Sequence, residues 1–175
     1  MKIQQNSERR SRRVSQIGNA DPAEVLTDVV PRLYRVLRAA LDEDRSLPSL
    51  EQLRVMARID EGVQHATALA AARQMRISAI TPLIQALVQR GWLTRQPEPA
   101  DRRQVRLELT AEGRRALTAG RRRTGERLRD VLRHGDSDEA AVDIAAVAVW
   151  LSHAVHRYDD ERLGPPDNPS SGVPD

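Results

Sequence analysis

The feature that most constrains this chain is a change of hydrophobic period between residues 49 and 110. Three short segments place apolar residues at the three-and-four spacing of a helix face: Leu50, Leu53, Met56 and Ile59, then Leu69 and Ala72, then Ile80, Leu83, Ile84, Leu87 and Val88. Beyond Gly91 the period falls to two, because Val105, Leu107 and Leu109 alternate with Arg106 and Glu108, and residues 97–103 separate them from a first strand at 93–96. Ser49 and Gln52 have capping-box spacing, Thr67 and Ser78 are placed to cap the second and third helices, and Gly62 and Gly91 stop the first and third. Three short helices followed by a hairpin are the winged helix-turn-helix, whose third helix enters the major groove of DNA.

Longer helices flank this unit. Asp21-Pro22-Ala23-Glu24 combines an N-cap acid, a proline at the first helical position and a glutamate spaced to bond back to the cap. The stripe Leu26, Val29, Val30, Leu33, Leu37, Ala40 and Leu41 continues one buried face through Pro31, which should kink the helix without ending it. Thr110 caps a basic helix with Glu112 in its first turn, running to about His134-Gly135. A last helix begins near Asp136 and is expected to bury Ala141, Ile144, Ala148, Leu151, Val155 and Tyr158. The expected fold is mainly α with a small β-hairpin. Residues 1–20 read as a flexible basic tail and 163–175, rich in Pro, Ser and Gly, as a disordered one.

Charge is distributed unevenly. The net +3 conceals a segment at 49–134 with 17 basic against 9 acidic side chains and an end at 135–175 with 2 against 9. A basic middle suits a phosphate-binding surface, although such an excess more often marks no more than a solvated face. The absence of cysteine excludes disulfides and thiolate chemistry. No stretch approaches the roughly 18 apolar residues of a membrane span, so the expected location is cytoplasmic, with no membrane partner. No glycine-rich phosphate loop, nucleophile elbow or zinc-hydrolase spacing is present, so the expectation is a protein without enzymatic activity and without cofactor or metal.

On the third helix the apolar face leaves Ser78, Ala79, Thr81, Pro82, Gln85 and Gln89 pointing outward. Gln85 has the chemistry to pair with adenine, and Ala79 or Pro82 to touch a thymine methyl. The hairpin tip, Pro97-Glu98-Pro99-Ala100-Asp101-Arg102-Arg103, presents arginines suited to a narrow minor groove, with Asp101 able to orient a guanidinium. A solvated helix and a plain charged turn are the blander readings of both.

Arg90-Gly91-Trp92-Leu93-Thr94-Arg95, then Asp101-Arg102-Arg103, then Leu109-Thr110-Ala111-Glu112-Gly113 together resemble the MarR family of bacterial transcription regulators, over roughly residues 21–162. The resemblance implies that Ser78, Ala79, Thr81 and Pro82 meet DNA, that Arg103 reaches the minor groove and that Asp101 buttresses it. With Thr67, Arg76, Gln85, Arg95 and Arg102 these form the expected DNA-binding set. It also implies a homodimer on a palindromic double-stranded operator, with dimerisation helices at 21–48 and 111–162 flanking the DNA-binding domain at 49–110. The expected function is a repressor relieved by a small-molecule effector; an effector-independent architectural DNA-binding protein is the alternative on the same scaffold. The chain departs from the family pattern at Pro82, where a polar or basic reader is common, and at Arg73-Gln74, where leucine-glycine is usual.

Other residues carry less. His153 and His156, three apart on the last helix, have metal-ligand spacing but more simply form its polar edge. Trp150, Tyr34 and Tyr158 suit a ligand pocket, or more simply core or interface packing.

Overall fold

The computed structural model describes residues 21–98, 105–134 and 144–163. The order is α1 (Pro22–Asp42), α2 (Leu50–Asp60), α3 (Ala66–Ala72), α4 (Ile77–Gln89), β1 (Leu93–Pro97), β2 (Val105–Leu109), α5 (Ala111–Arg133) and α6 (Ile144–Leu163). The two strands pair antiparallel, with Leu93 opposite Leu109 and Arg95 opposite Leu107. The mainly α architecture with one hairpin is therefore as expected.

Capping chemistry sets most boundaries. Ser49 and Gln52 bond reciprocally, the Gln52 amide N–H to Ser49 Oγ at 3.3 Å and the Ser49 N–H to Gln52 Oε1 at 3.0 Å. At α1 the bond formed runs from the Ala23 N–H to Asp21 Oδ1 (3.0 Å), a contact two residues on that leaves Glu24 exposed rather than closing a box. The α1 assignment is unbroken through Pro31. Two expected caps are corrected: α3 starts after His65 and α4 after Arg76, neither with a side-chain cap, so Thr67 and Ser78 lie inside their first turns. Cap-forming residues are also tolerated one or two places into a helix, where spacing alone does not distinguish them.

Three helix ends share one geometry. After α2, α3 and α4 the chain closes with a pair of bonds, Val63 N–H to Arg58 O with Gly62 N–H to Ile59 O, Met75 N–H to Ala70 O with Gln74 N–H to Ala71 O, and Trp92 N–H to Leu87 O with Gly91 N–H to Val88 O. This double bond requires a left-handed residue just past the helix. Gly62 (φ 99°) and Gly91 (φ 69°) supply it without strain, but the middle one is Gln74 (φ 49°), where a side chain costs of the order of 1 kcal/mol.

The core is built from Leu53, Val55 and Met56 of α2, Leu69 of α3, Ile80, Ile84 and Leu87 of α4, Trp92 and Leu93, Leu107 and Leu109 of β2, Leu117 of α5 and Leu41 at the end of α1. Entry into α5 explains the Leu-Thr-x-x-Gly pattern. Thr110 donates its hydroxyl to Gly91 O (2.7 Å) and accepts from the Gly113 N–H (2.9 Å), and a Cβ on Gly113 would lie 2.0 Å from Trp92 O. Only glycine lets the helix approach the hairpin base this closely. Arg90 stacks 3.6 Å from the Trp92 ring centroid and donates to Leu47 O and Arg45 O, fixing the α1–α2 link to the same corner.

Polar ties join α5 to the end of α1 and to α2. Arg123 and Arg127 of α5 pair with Glu43, Arg123 also donates to Ala40 O at 3.1 Å, and Arg121 pairs with Asp60 at 3.3 Å. Much of the arginine run on α5 is thus engaged within the fold. Tyr34 of α1 donates to Glu51 Oε1 at 2.5 Å, and Arg73 pairs with the other carboxylate oxygen of Glu51. Burial alone would raise the Glu51 carboxyl, but the hydrogen bonds from Tyr34 and Arg73 and the positive charge of Arg73 outweigh it and hold the group below its ordinary value.

The expectation that the last helix buries its apolar face is corrected within the single chain. Leu151, Val155 and Tyr158 of α6 are exposed, as are Ala148, Val147 and Val149, and Trp150 is 63% exposed. Ala141 lies outside the described residues, as does the Ile144 side chain. On α1 only Ala40 and Leu41 are buried, while Leu26, Val29 and Val30 are exposed. Both stripes have the expected spacing, but among the described residues nothing covers the exposed part of either.

Candidate nucleic-acid interface

The reading candidate is the outer face of α4. Ile80, Ile84 and Leu87 are buried and Leu83 and Val88 half-buried, which anchors the helix on α2 and turns Ser78, Ala79, Thr81, Pro82, Gln85 and Gln89 to solvent. All six exposed positions agree with the spacing argument. The first turn of α4 holds no acidic residue and is preceded by exposed Arg76, so the positive helix end is not neutralised by its own side chains.

Two groups on that face are already oriented. The Thr81 hydroxyl donates to Ile77 O at 2.8 Å, so its oxygen is left to accept. Gln85 Oε1 accepts from Arg95 Nη2 at 3.4 Å, a contact between α4 and β1 that draws two candidate residues together. The structure also revises the position of Pro82. Because α4 starts at Ile77 and not after a Ser78 cap, Pro82 is the sixth helical residue, and its missing N–H leaves the Ser78 carbonyl without its intrahelical donor.

Thr67 is exposed on α3 and Arg95 exposed on β1. Asp101, Arg102 and Arg103 lie outside the described residues. The described part of the hairpin makes two contacts that no sequence signal announces, since both depend on tertiary proximity. Leu107 N–H donates to Gln64 O at 2.8 Å, and Glu98 lies 3.7 Å from His65 Nε2. Sequence reasoning also missed Ile77, an apolar side chain left exposed at the start of α4.

Among the described residues no group of three or more His, Asp or Glu is placed to hold a metal; His156 Nδ1 instead contacts Ser152 O at 2.7 Å. No described helix is long and apolar enough to cross a membrane.

Comparison with known proteins agrees with this geometry. The MarR family model matches residues 49–105, the span from the α2 cap to the start of β2. An uncharacterized HTH-type transcriptional regulator of Mycobacterium leprae is 33% identical over 115 residues, which cover 65% of this chain and 79% of that protein. Among solved structures, a mutant MarR from E. coli complexed with operator DNA superposes with a TM-score of 0.58 at 21% identity, over 76% of this chain and 92% of that one. CouR from Rhodococcus jostii bound to p-coumaroyl-CoA does so with a TM-score of 0.61 at 22% identity, over 79% of this chain and 92% of that one. Helix order, hairpin, the Thr110–Gly113 corner and these likenesses converge: the chain belongs to the MarR family of DNA-binding transcription regulators.

Proposed function

We propose that this protein is a homodimeric, sequence-specific regulator of double-stranded DNA, a repressor that occupies a palindromic operator and is released by a small effector. The single observation that carries the reading is the outward face of α4, polar and small, seated beside the hairpin on a fully built core. In this reading Ser78, Ala79, Thr81, Pro82 and Gln85 face base edges in the major groove, Thr67, Arg76 and Arg95 meet the backbone, and Arg102 and Arg103 enter the minor groove with Asp101 holding Arg103. The backbone kink-prone Pro82 limits what the helix can read, so the wing carries a large share of recognition.

The uncovered stripes on α1 and α6 support dimerisation through residues 21–48 and 111–162. Leu26, Val29 and Val30 on one helix and Val147, Leu151, Val155 and Tyr158 on the other are long apolar faces of the kind that a second copy buries. Two reading heads then meet half-sites one helical turn apart. That CouR is bound to p-coumaroyl-CoA supports an effector site on this scaffold.

The test is equilibrium binding to the duplex upstream of the protein's own gene at two salt concentrations. Arg103→Ala should weaken binding by about 1–3 kcal/mol and lessen the salt dependence. Sequence-specific binding of unchanged strength by that variant would reject the wing assignment.

A further inference from the structure

The turn before α4 departs from the family pattern at Arg73-Gln74, and the proposed DNA-reading face makes no use of the departure. Gln74 fills the left-handed position that glycine usually takes. Arg73 does something different: its side chain is only 8% exposed, Nη1 donates to Glu51 O at 3.3 Å, and Nη2 pairs with the Glu51 carboxylate. Its Nε is buried with no hydrogen-bond partner, an unusual state for a guanidinium, whose donors are normally all used when desolvated.

Beside Arg73 lies a solvent-open hollow of about 360 Å³ between α2 and the α3–α4 turn. Arg54 and Arg58 line it with Arg73; Glu61 is its one acidic lining residue, and the methyl groups of Ala57 and Ala72 are its apolar part. Glu61 is engaged by Arg58 at 3.1 Å, and Arg54 stands 3.9 Å from Glu51. Three arginines thus line one concavity and outnumber by one the carboxylates, Glu51 and Glu61, that pair with them, and guanidinium forks match the oxygens of phosphate and carboxylate. The volume is at the small end for ligand sites, and the lining is too polar for an aromatic or acyl group.

We propose that this hollow binds a small hydrophilic dianion, one bearing a phosphate or two carboxylates. A duplex backbone does not suit it, because the Arg73 side chain is more than nine-tenths buried. The site stands independently of the DNA-binding reading. If that reading also holds, occupancy has a route to α4 and to α1, since Arg73 sits in the turn that starts one and is joined through Glu51 to Tyr34 of the other.

The experiment is calorimetric titration of the full chain, without DNA and in low-salt zwitterionic buffer, with inorganic phosphate and separately with succinate. The expected result is saturable binding of at least one of them at one site per chain, weakened at least about tenfold in the Arg54→Gln, Arg58→Gln double variant. Both side chains are partly or largely exposed, so the variant should keep its fold, verified by an unchanged circular dichroism spectrum. An Arg115→Gln, Arg129→Gln control on exposed α5 positions should bind as the parent does. Absence of saturable binding by both anions, or equal affinity in the double variant, overturns the proposal and leaves the DNA-binding reading untouched.

Discussion

The lobe spanning α2 to β2 and the two outer stretches, the N-terminal turns of α1 and the whole described length of α6, all carry regularly spaced apolar residues, with opposite outcomes. In the lobe, Leu69, Ile80 and Leu87 are fully buried against partners from neighbouring elements. On the outer helices, Val30, Val147, Val155 and Trp150 lie at least half exposed. The lobe closes its core with help from Leu41 of α1 and Leu117 of α5, whereas the outer stretches carry apolar residues at helical spacing that no described residue covers. The difference teaches that amphipathic spacing specifies a face to be covered and does not say by which chain.

The largest expected effect breaks the comparison on the outer side. Leu151→Asp together with Val155→Asp places charge on the α6 stripe without touching the lobe. In the proposed dimer it should shift the self-association midpoint by two or more orders of magnitude, about 3 kcal/mol or more, read by sedimentation equilibrium, while the melting of the lobe persists. Inside the lobe, Leu87→Ala should cost about 2–5 kcal/mol of stability, measured by urea denaturation under conditions of fixed oligomeric state. Gly113→Ala, which drives a methyl against the Trp92 carbonyl, should cost about 2–3 kcal/mol in the same assay.

Two smaller effects sharpen how the lobe is held. Gln74→Gly should raise stability by up to about 1 kcal/mol, because relief of the left-handed strain outweighs the entropy that glycine adds to the unfolded chain. A loss instead would show that the Gln74 side chain contributes more than its backbone costs. The Glu51 carboxyl, held low in the folded chain, gives stability that is present above its unfolded value of about 4.3 and is lost as pH falls through the lower folded value. Glu51→Gln should therefore flatten the acid side of the stability profile, checked by urea midpoints between neutral and acid pH.

Much of the fold was legible because its signals are local. The Ser49–Gln52 box, the Thr110 cap and the glycines at 62 and 91 each announce a boundary by chemistry within four residues. Thr67 and Ser78 misled because the same side chains sit comfortably in a first helical turn. Gln74 carries no mark of its positive φ in its own chemistry, and the only sign was the glycine usual at that place in the family pattern. The outward residues of α4 followed from the buried ones, but the Arg95–Gln85 contact and the His65–Glu98 approach did not, because strand and helix meet only after the core forms. In the proposed dimer, coverage of the α1 and α6 stripes is a property of assembly, and Asp101, Arg102 and Arg103 are assigned by resemblance.

The most direct test is competition binding at physiological salt between the duplex upstream of the protein's own gene and a scrambled duplex of the same length and composition. A preference of about 10³-fold or more for the upstream duplex is expected. Equal affinity for the two would contradict a sequence-specific regulator and favour an architectural DNA-binding protein on the same scaffold.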